Sequence, residues 1–234
     1  MKFSIAAFGL CIVGFGATSP TMAEPIPQYR ALYRNADEAA AGSSDVSLTP
    51  DSAAGSYTLT VKRVDAEARE VVRTLRFTLV DDRVRPSSYR QQDRRCGSCT
   101  LAAKFDWDGR RVQLDHGGDQ DILRFTETTV GRGRSSLIRD IATLVAHLPG
   151  PRALAGFDDV LAAESLGTVE VTTRLGPMQA EGRALHGATE ESLWLAPELE
   201  HLPVRIQTAG MTLELAELDG IERTGATNAP GASR

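Results

Sequence analysis

The sequence predicts a mainly β protein of the α+β class. A curved antiparallel sheet or half-barrel of about eight or more strands carries one amphipathic covering helix. Apolar and polar residues alternate through most of the chain, which is typical of strands with one buried face. One mid-chain segment instead has its apolar residues at helical spacing. The alternation does not distinguish a closed barrel from an open half-barrel.

Eight segments carry the strand alternation. In the earlier part of the chain they are "SYTLTVKRV", "RTLRFTLV", "TLAAKFDW" and "RRVQLDH". In the later part they are "TVEVTTR", "ESLWLAP", "LPVRIQT" and "MTLELAEL". Two-residue hairpin turns are expected at Asp108-Gly109 and Ala209-Gly210, because Gly adopts the backbone conformations that such tight turns require.

The helical segment is predicted to run from Ser136 to Leu148. Its apolar stripe covers one side of a helix, with polar residues on the other. Asp140 lies in its first half, and Pro149-Gly150 ends it. His147 falls on the polar flank and is expected to face solvent. The stripe consists of Leu137, Ile138, Ile141, Leu144, Val145 and Leu148.

The chain divides into four parts. Residues 1–23 have a basic start, a short apolar run and a small residue at the end, which predicts a cleaved secretory signal and a periplasmic protein. Residues 24–28 are a short proline-containing leader. Residues 29–221 form a single β-rich domain without a membrane-length apolar run. Residues 222–234 are almost without apolar side chains and are predicted to be a disordered tail.

Three motifs make the chain resemble a known family. They are "KFDWDGRRV", the helix "LIRDIATLVAHLPG" and "LWLAPELEHLPVRIQTAGMTLELAEL". Together they are similar to the bacterial envelope family catalogued as domain of unknown function 3108, from Tyr29 to Ile221. The resemblance implies a secreted, periplasmic β-rich protein with no established activity. A more distant likeness, in architecture only, is to half-barrel lipoprotein carriers, whose concave sheet and covering helix hold acyl chains.

Cys96 and Cys99 remain after removal of the signal and depart from the common pattern of that family. A thioredoxin-type pair begins a helix, whereas the residues after Cys99 have strand alternation. Zinc needs about four ligands, and two cysteines supply half of them. A short-loop disulfide is the favoured interpretation, with a redox pair as the alternative. No metal is expected.

Basic residues concentrate between Arg83 and Arg111, in a chain whose formal net charge is −5. The negative total gives no general attraction to nucleic acid, and no nucleic-acid partner is expected. The local excess predicts a basic rim for phosphate-bearing head groups or an acidic partner, with solvated strand faces as the alternative. The rim candidates are Arg83, Arg85, Arg90, Arg94, Arg95, Arg110 and Arg111.

The functional hypothesis is a non-enzymatic periplasmic protein without a cofactor. It binds a hydrophobic or amphiphilic envelope ligand, such as a lipid, or an envelope-assembly protein. No Gly-x-Ser-x-Gly, His-Glu-x-x-His or Gly-x-x-x-x-Gly-Lys motif predicts catalysis. An envelope hydrolase or thiol-redox enzyme that uses Cys96 and Cys99, or a scattered site, is the alternative. The cavity candidates are Leu59, Phe77, Phe105, Trp107 and Leu144.

Overall fold

The computed structural model describes residues 25–53, 55–96, 100–125, 134–150, 152–156, 163–185, 191–208 and 210–223. The predicted signal peptide lies outside these residues, as does all but the start of the predicted tail. Among the described residues, no helix is long and apolar enough to cross a membrane.

Thirteen strands form one antiparallel sheet. The first eight are β1 (Tyr29–Asn35), β2 (Ser43–Pro50), β3 (Ser56–Val64), β4 (Glu70–Val80), β5 (Arg83–Asp93), β6 (Thr100–Asp106), β7 (Arg111–His116) and β8 (Asp119–Arg124). The other five are β9 (Ala163–Thr173), β10 (Gly176–Leu185), β11 (Glu191–Ala196), β12 (Leu202–Thr208) and β13 (Met211–Asp219). A helix, α1 (Arg134–Val145), lies between β8 and β9 in the chain.

The strand order is β8-β7-β6-β5-β4-β3-β2-β1-β13-β12-β11-β10-β9. Two meanders, β1–β8 and β9–β13, therefore meet where β1 pairs with β13. Among the described residues no pairing joins β8 to β9, so the sheet is open, with these two strands as its edges. The predicted fold class, a curved antiparallel sheet with one helix, is confirmed.

The two predicted hairpin turns have different outcomes. Thr208 pairs with Met211, as the predicted turn requires, and Gly210 takes a positive φ of 84°; Ala209 lies outside the described residues. At the other site Asp106 pairs with Arg111, so the loop has four residues, and the predicted two-residue turn is wrong. The Asp106 carboxylate accepts hydrogen bonds from the Gly109 N–H at 2.8 Å and from Arg111 at 2.7 Å, which stabilises the longer loop.

Helix α1 packs on the concave face of the sheet. All six residues of its predicted stripe are buried. They share one core with the inward side chains of both meanders, β1–β8 and β9–β13. The regular helix begins two residues before the prediction and ends at Val145. Residues up to Leu148 continue as tight turns, with Leu148 donating its backbone N–H to Val145. One contiguous core therefore includes helix and sheet.

Candidate functional site

The concave face changes character along three neighbouring strands. On β3 the inward positions pass from apolar Leu59 and Val61 to Arg63. On β4, Arg73 lies two residues before buried Leu75 and therefore on the same face. On β5, Gln91 lies two residues after buried Tyr89 and shares its face. Because side chains two residues apart share a face, these polar residues point inward. We call this region the polar end, and it comprises Ser44, Arg63, Arg73, Gln91 and Glu191 with Asp140 of α1 and His147, which follows α1.

An ion pair crosses the concavity at the polar end. The Arg63 guanidinium lies 2.9 Å from Glu191, and the two side chains are 20% and 3% exposed. Arg63 belongs to β3 and Glu191 to β11, with β2, β1, β13 and β12 between them in the sheet. The sheet must therefore curve strongly to bring them together. Burying two charges costs free energy that their attraction only partly returns, so the pair is weak support for a purely stabilising role.

Arg73 has a different type of partner. Its Nε–H donates to Oε1 of Gln91 at 3.0 Å, and the Tyr89 hydroxyl donates to the same oxygen at 2.9 Å. Burial raises the pKa of Tyr89. Among the described residues Arg73 forms no ion pair within 4 Å. Arg73 is therefore a cation held by a neutral amide, with other N–H donors available.

Two titratable residues face the sheet here, Asp140 of α1 and His147 in the turns that follow α1. Burial raises the pKa of Asp140, against the opposing effect of Arg73. His147 is only 1% exposed, so the expectation that it faces solvent is wrong. The sheet covers this flank of the helix as well: the Tyr29 hydroxyl donates to the His147 carbonyl, and the Tyr33 ring lies edge-on to the imidazole at 6.4 Å. Burial lowers the pKa of His147 to about 4.

Three buried polar atoms at the polar end have no hydrogen-bond partner within the described part of the chain. They are Oγ of Ser44, Nε of Arg63 and Nδ1 of His147. Ser44 stands opposite Arg63 in the pairing of β2 with β3 and opposite Tyr33 in the pairing of β2 with β1. Leaving such a group unsatisfied costs about 1–3 kcal/mol each. Because Ser44 pairs with Arg63 and with Tyr33, whose ring contacts His147, these residues are neighbours, and this end of the concave face is the candidate site for a polar group.

A pocket of about 200 Å³ lies at the polar end, and of the three residues with an unpartnered atom Arg63 is in its lining. At its rim the Arg69 Nε–H donates to the Asp93 carboxylate at 2.7 Å, and this hydrogen bond lowers the pKa of Asp93. The Asp65 carboxylate accepts backbone N–H groups of Glu67 and Arg69 and so closes the β3–β4 turn. The lining residues are Val61, Arg63, Asp65, Arg69, Val71, Arg73 and Gln91.

The predicted cavity residues belong to two environments. Leu59, Phe77 and Leu144 are fully buried in the core. Phe105 and Trp107 are half-buried and stacked, with ring centroids 6.2 Å apart. The structure brings Leu144 against the sheet, as the helix prediction requires. That these five residues bind a ligand stays a prediction.

The predicted basic rim is divided among several places. Arg83, Arg85 and Arg90 alternate with buried residues of β5, and the Arg85 guanidinium lies 5.0 Å from the centroid of the Trp107 ring. Arg94 forms an ion pair with Glu70 at 2.8 Å, and Arg95 donates to the Glu67 carbonyl. Arg110 adopts a positive φ of 51° in the β6–β7 loop, and Arg111 pairs with Asp106. Their role as a rim stays a prediction.

Sequence reasoning did not select Arg63 and Arg73, although a signal for each was present. Arg63 continues the alternation that places Leu59 and Val61 inward, and Arg73 is on the same face as Leu75. The signal in the sequence is an arginine two residues from an apolar residue that is predicted to point inward. Glu191 had no such signal, because its importance depends on a partner 128 residues away.

Cys96 follows the end of β5 on the side of the polar end, whereas Cys99 lies outside the described residues. The disulfide and the redox alternative both stay predictions. Within the described ranges, no group of three or more His, Cys, Asp or Glu side chains is placed to hold a metal ion.

No protein-family model matches the chain, and no curated protein matches it. The resemblance to the family catalogued as domain of unknown function 3108 therefore stays a prediction.

Proposed function

We propose that the protein is a non-enzymatic periplasmic binding protein for an amphiphilic envelope ligand. The observation that carries the proposal is the division of a single concave face into a long apolar part and a charged end. An amphiphile has the same division, since its chain prefers apolar surroundings and its head group needs hydrogen-bond partners. The polar end supplies such partners beside the core that α1 covers.

Binding of a chain requires α1 to shift. Leu144 and the inward residues Leu59 and Phe77 are packed in one core, so an acyl chain takes the place of contacts that α1 makes. The acyl chain is as apolar as the α1 side chains whose place it takes. Apolar surface of the sheet therefore stays out of water when the acyl chain replaces them. Ligand binding and the position of α1 are therefore coupled in this proposal.

The two tryptophans provide an internal test. Trp107 stacks on Phe105, whereas Trp194 alternates with buried Leu193 on β11 and so points to the outer face, where the Arg205 guanidinium lies 5.8 Å from its ring centroid. Both tryptophans are half-buried against the core. A brominated fatty acid quenches tryptophan emission on contact. We expect quenching in Trp194→Phe, which keeps Trp107, and none in Trp107→Phe. Equal quenching in both variants, or none in either, contradicts binding on the concave side.

A second candidate, an envelope-assembly partner, is favoured by the edge strand β9. Its residues 164–170 are exposed on both faces, with Leu166 at 44% and Val169 at 40%. Exposed strand edges pair with extended segments of other chains. If cross-linking in whole cells joins β9 to another envelope protein and no lipid copurifies with the protein in native mass spectrometry, this second function replaces the first.

A further inference from the structure

We infer that the pocket between β3, β4 and β5 is a specific oxyanion site, with Arg73 as the principal partner of a phosphate or carboxylate group. The inference rests on the proposed function in one respect: the oxyanion is assigned as the head group of the amphiphile. A free oxyanion has the same chemistry, and the experiment below separates the two sources.

The size of the pocket limits what it holds. Its volume of about 200 Å³ exceeds the roughly 30 Å³ that one water molecule occupies. It is smaller than the roughly 300–1,000 Å³ typical of sites that enclose a whole drug-sized ligand. A head group fits this volume, and the rest of an amphiphile does not. The remainder of the ligand must therefore lie elsewhere on the concave face.

The charges around the pocket are paired except at one residue. Arg63 is paired with Glu191, Arg69 with Asp93, and the Asp65 carboxylate is used by backbone N–H groups of its own turn. Arg73 has the neutral Gln91 as its hydrogen-bond partner. Asp140 acts on Arg73 electrostatically but does not approach within ion-pair distance among the described residues. The planar guanidinium of Arg73 is thus able to bind an oxyanion through two N–H groups.

A second arginine lines the same pocket. Arg63 lines the pocket, and its Nε–H is buried without a hydrogen-bond partner, while its terminal nitrogen holds Glu191. Because that Nε–H is enclosed within the protein, an oxyanion between Arg63 and Arg73 reaches it only when the Arg63 side chain turns toward the pocket. The two arginines come from adjacent strands, with Arg73 opposite Val61, the inward neighbour of Arg63. The strand register therefore sets the spacing of the two donors.

The test is calorimetric titration of the full-length protein with inorganic phosphate and with lysophosphatidic acid. The variant is Arg73→Gln, because loss of Arg63 leaves Glu191 buried without its cation and endangers folding. The matched control is Arg76→Gln, which makes the same charge change on the same strand but on the exposed outer face. We expect Arg73→Gln to weaken phosphate binding by about tenfold, and Arg76→Gln to leave it unchanged.

The outcomes separate the site from the function. If phosphate binds and Arg73→Gln weakens it, but lysophosphatidic acid binds no tighter than phosphate, the site stands and the amphiphile proposal falls. If lysophosphatidic acid binds and Arg73→Gln has no effect, the site falls and the function stands. Equal losses in Arg73→Gln and Arg76→Gln, or no binding of either ligand, overturn the site.

A folding control completes the design. Circular dichroism and urea denaturation establish that each variant is folded before titration. If Arg73→Gln does not fold, Arg73→Lys replaces it: the charge remains, and the planar pair of donors is lost. Weaker phosphate binding in Arg73→Lys than in the wild type supports the site, and unchanged binding overturns it.

Discussion

The two ends of the concave face are built on the same strands but are stabilised differently. At the apolar end the Tyr57 and Phe77 rings stack with centroids 5.5 Å apart. The aliphatic side chains around them are buried and need no hydrogen-bond partner. At the polar end Glu191 and His147 are buried and Arg63 is 20% exposed. Arg63 and Glu191 depend on each other as an ion pair, and Nδ1 of His147 has no hydrogen-bond partner among the described residues. Burial alone therefore does not distinguish core from site; the unsatisfied polar groups do.

The difference shows what the polar end costs the fold. A buried apolar side chain stabilises wherever it packs well, whereas a buried charge stabilises only while its partner is present. Apolar residues at Arg63 and Glu191 could fill the same space. The chain has a charged pair there instead, near buried polar atoms of Ser44 and His147 that have no hydrogen-bond partner among the described residues, and this is the physical reason for placing the site here. Each of the following experiments tests this comparison.

The largest effect is expected when the ion pair is broken. Arg63→Met should lower the free energy of unfolding by about 3–5 kcal/mol, since Glu191 is left buried without its cation. The double variant Arg63→Met/Glu191→Leu should recover to within about 2 kcal/mol of the wild type. Urea denaturation measures both. A double variant as unstable as the single one would show that the pair itself provides net stability.

The apolar end should behave in the opposite way. Leu59→Ala should lower the free energy of unfolding by about 3 kcal/mol through lost contacts and a residual cavity. This variant leaves no unpaired charge in the core. In contrast to Arg63→Met, therefore, no second substitution of a charged residue should restore its stability. Thr60→Ala, on the outer face of the same strand, is the control and should cost less than about 1 kcal/mol. A smaller loss in Leu59→Ala than in Thr60→Ala would contradict the assignment of a packed apolar end.

Acid should act on the polar end first. The pKa of His147 is about 4 when folded against 6.5 for the free side chain, so the unfolded state takes up the proton more readily. The free energy of unfolding should be full above about pH 6.5 and fall by about 3 kcal/mol between pH 6.5 and 4. Asp140 acts in the opposite direction, because its raised pKa favours the folded state as the pH falls.

The pH dependence is measured by urea denaturation at several pH values. His147→Leu should remove most of the loss between pH 6.5 and 4, and Asp140→Asn should make that loss larger. Below pH 4 both variants should still lose stability, because hydrogen bonds to Asp93 and Asp106 lower the pKa of these carboxyl groups in the folded protein. An unchanged profile in His147→Leu would contradict its burial as a neutral group.

The smallest effect concerns the turn that follows β5. We predict that Cys96 and Cys99 are disulfide-bonded in the isolated protein. Converting both to Ser should lower the free energy of unfolding by about 2 kcal/mol or less, since a loop of four residues restricts the unfolded chain only slightly. Full labelling of both thiols without reductant would contradict the disulfide. Loss of a thiol-exchange activity in the double variant would favour the redox enzyme instead.

Local patterns in the sequence predicted the elements where the alternation is unbroken, as in β3, β4 and β13. They did not reveal β5, where Pro86 and an irregularity in the pairing with β4 interrupt the period. In α1 the apolar stripe predicted which residues are buried, but not that His147 on the flank is buried too. An apolar stripe identifies the helix face that must be buried. A strongly curved sheet also buries the polar residues that flank this face.

By itself the sequence determined that this protein is an antiparallel sheet with one covering helix, because alternation and helical spacing are properties of neighbouring residues. Only the tertiary structure decided that β1 pairs with β13 and that the curved sheet brings β3 to β11. Arg63 and Glu191 are far apart in the chain, and neither carries a local sign of the other. Their meeting depends on strand order and curvature, which arise from the packing of the whole sheet around α1.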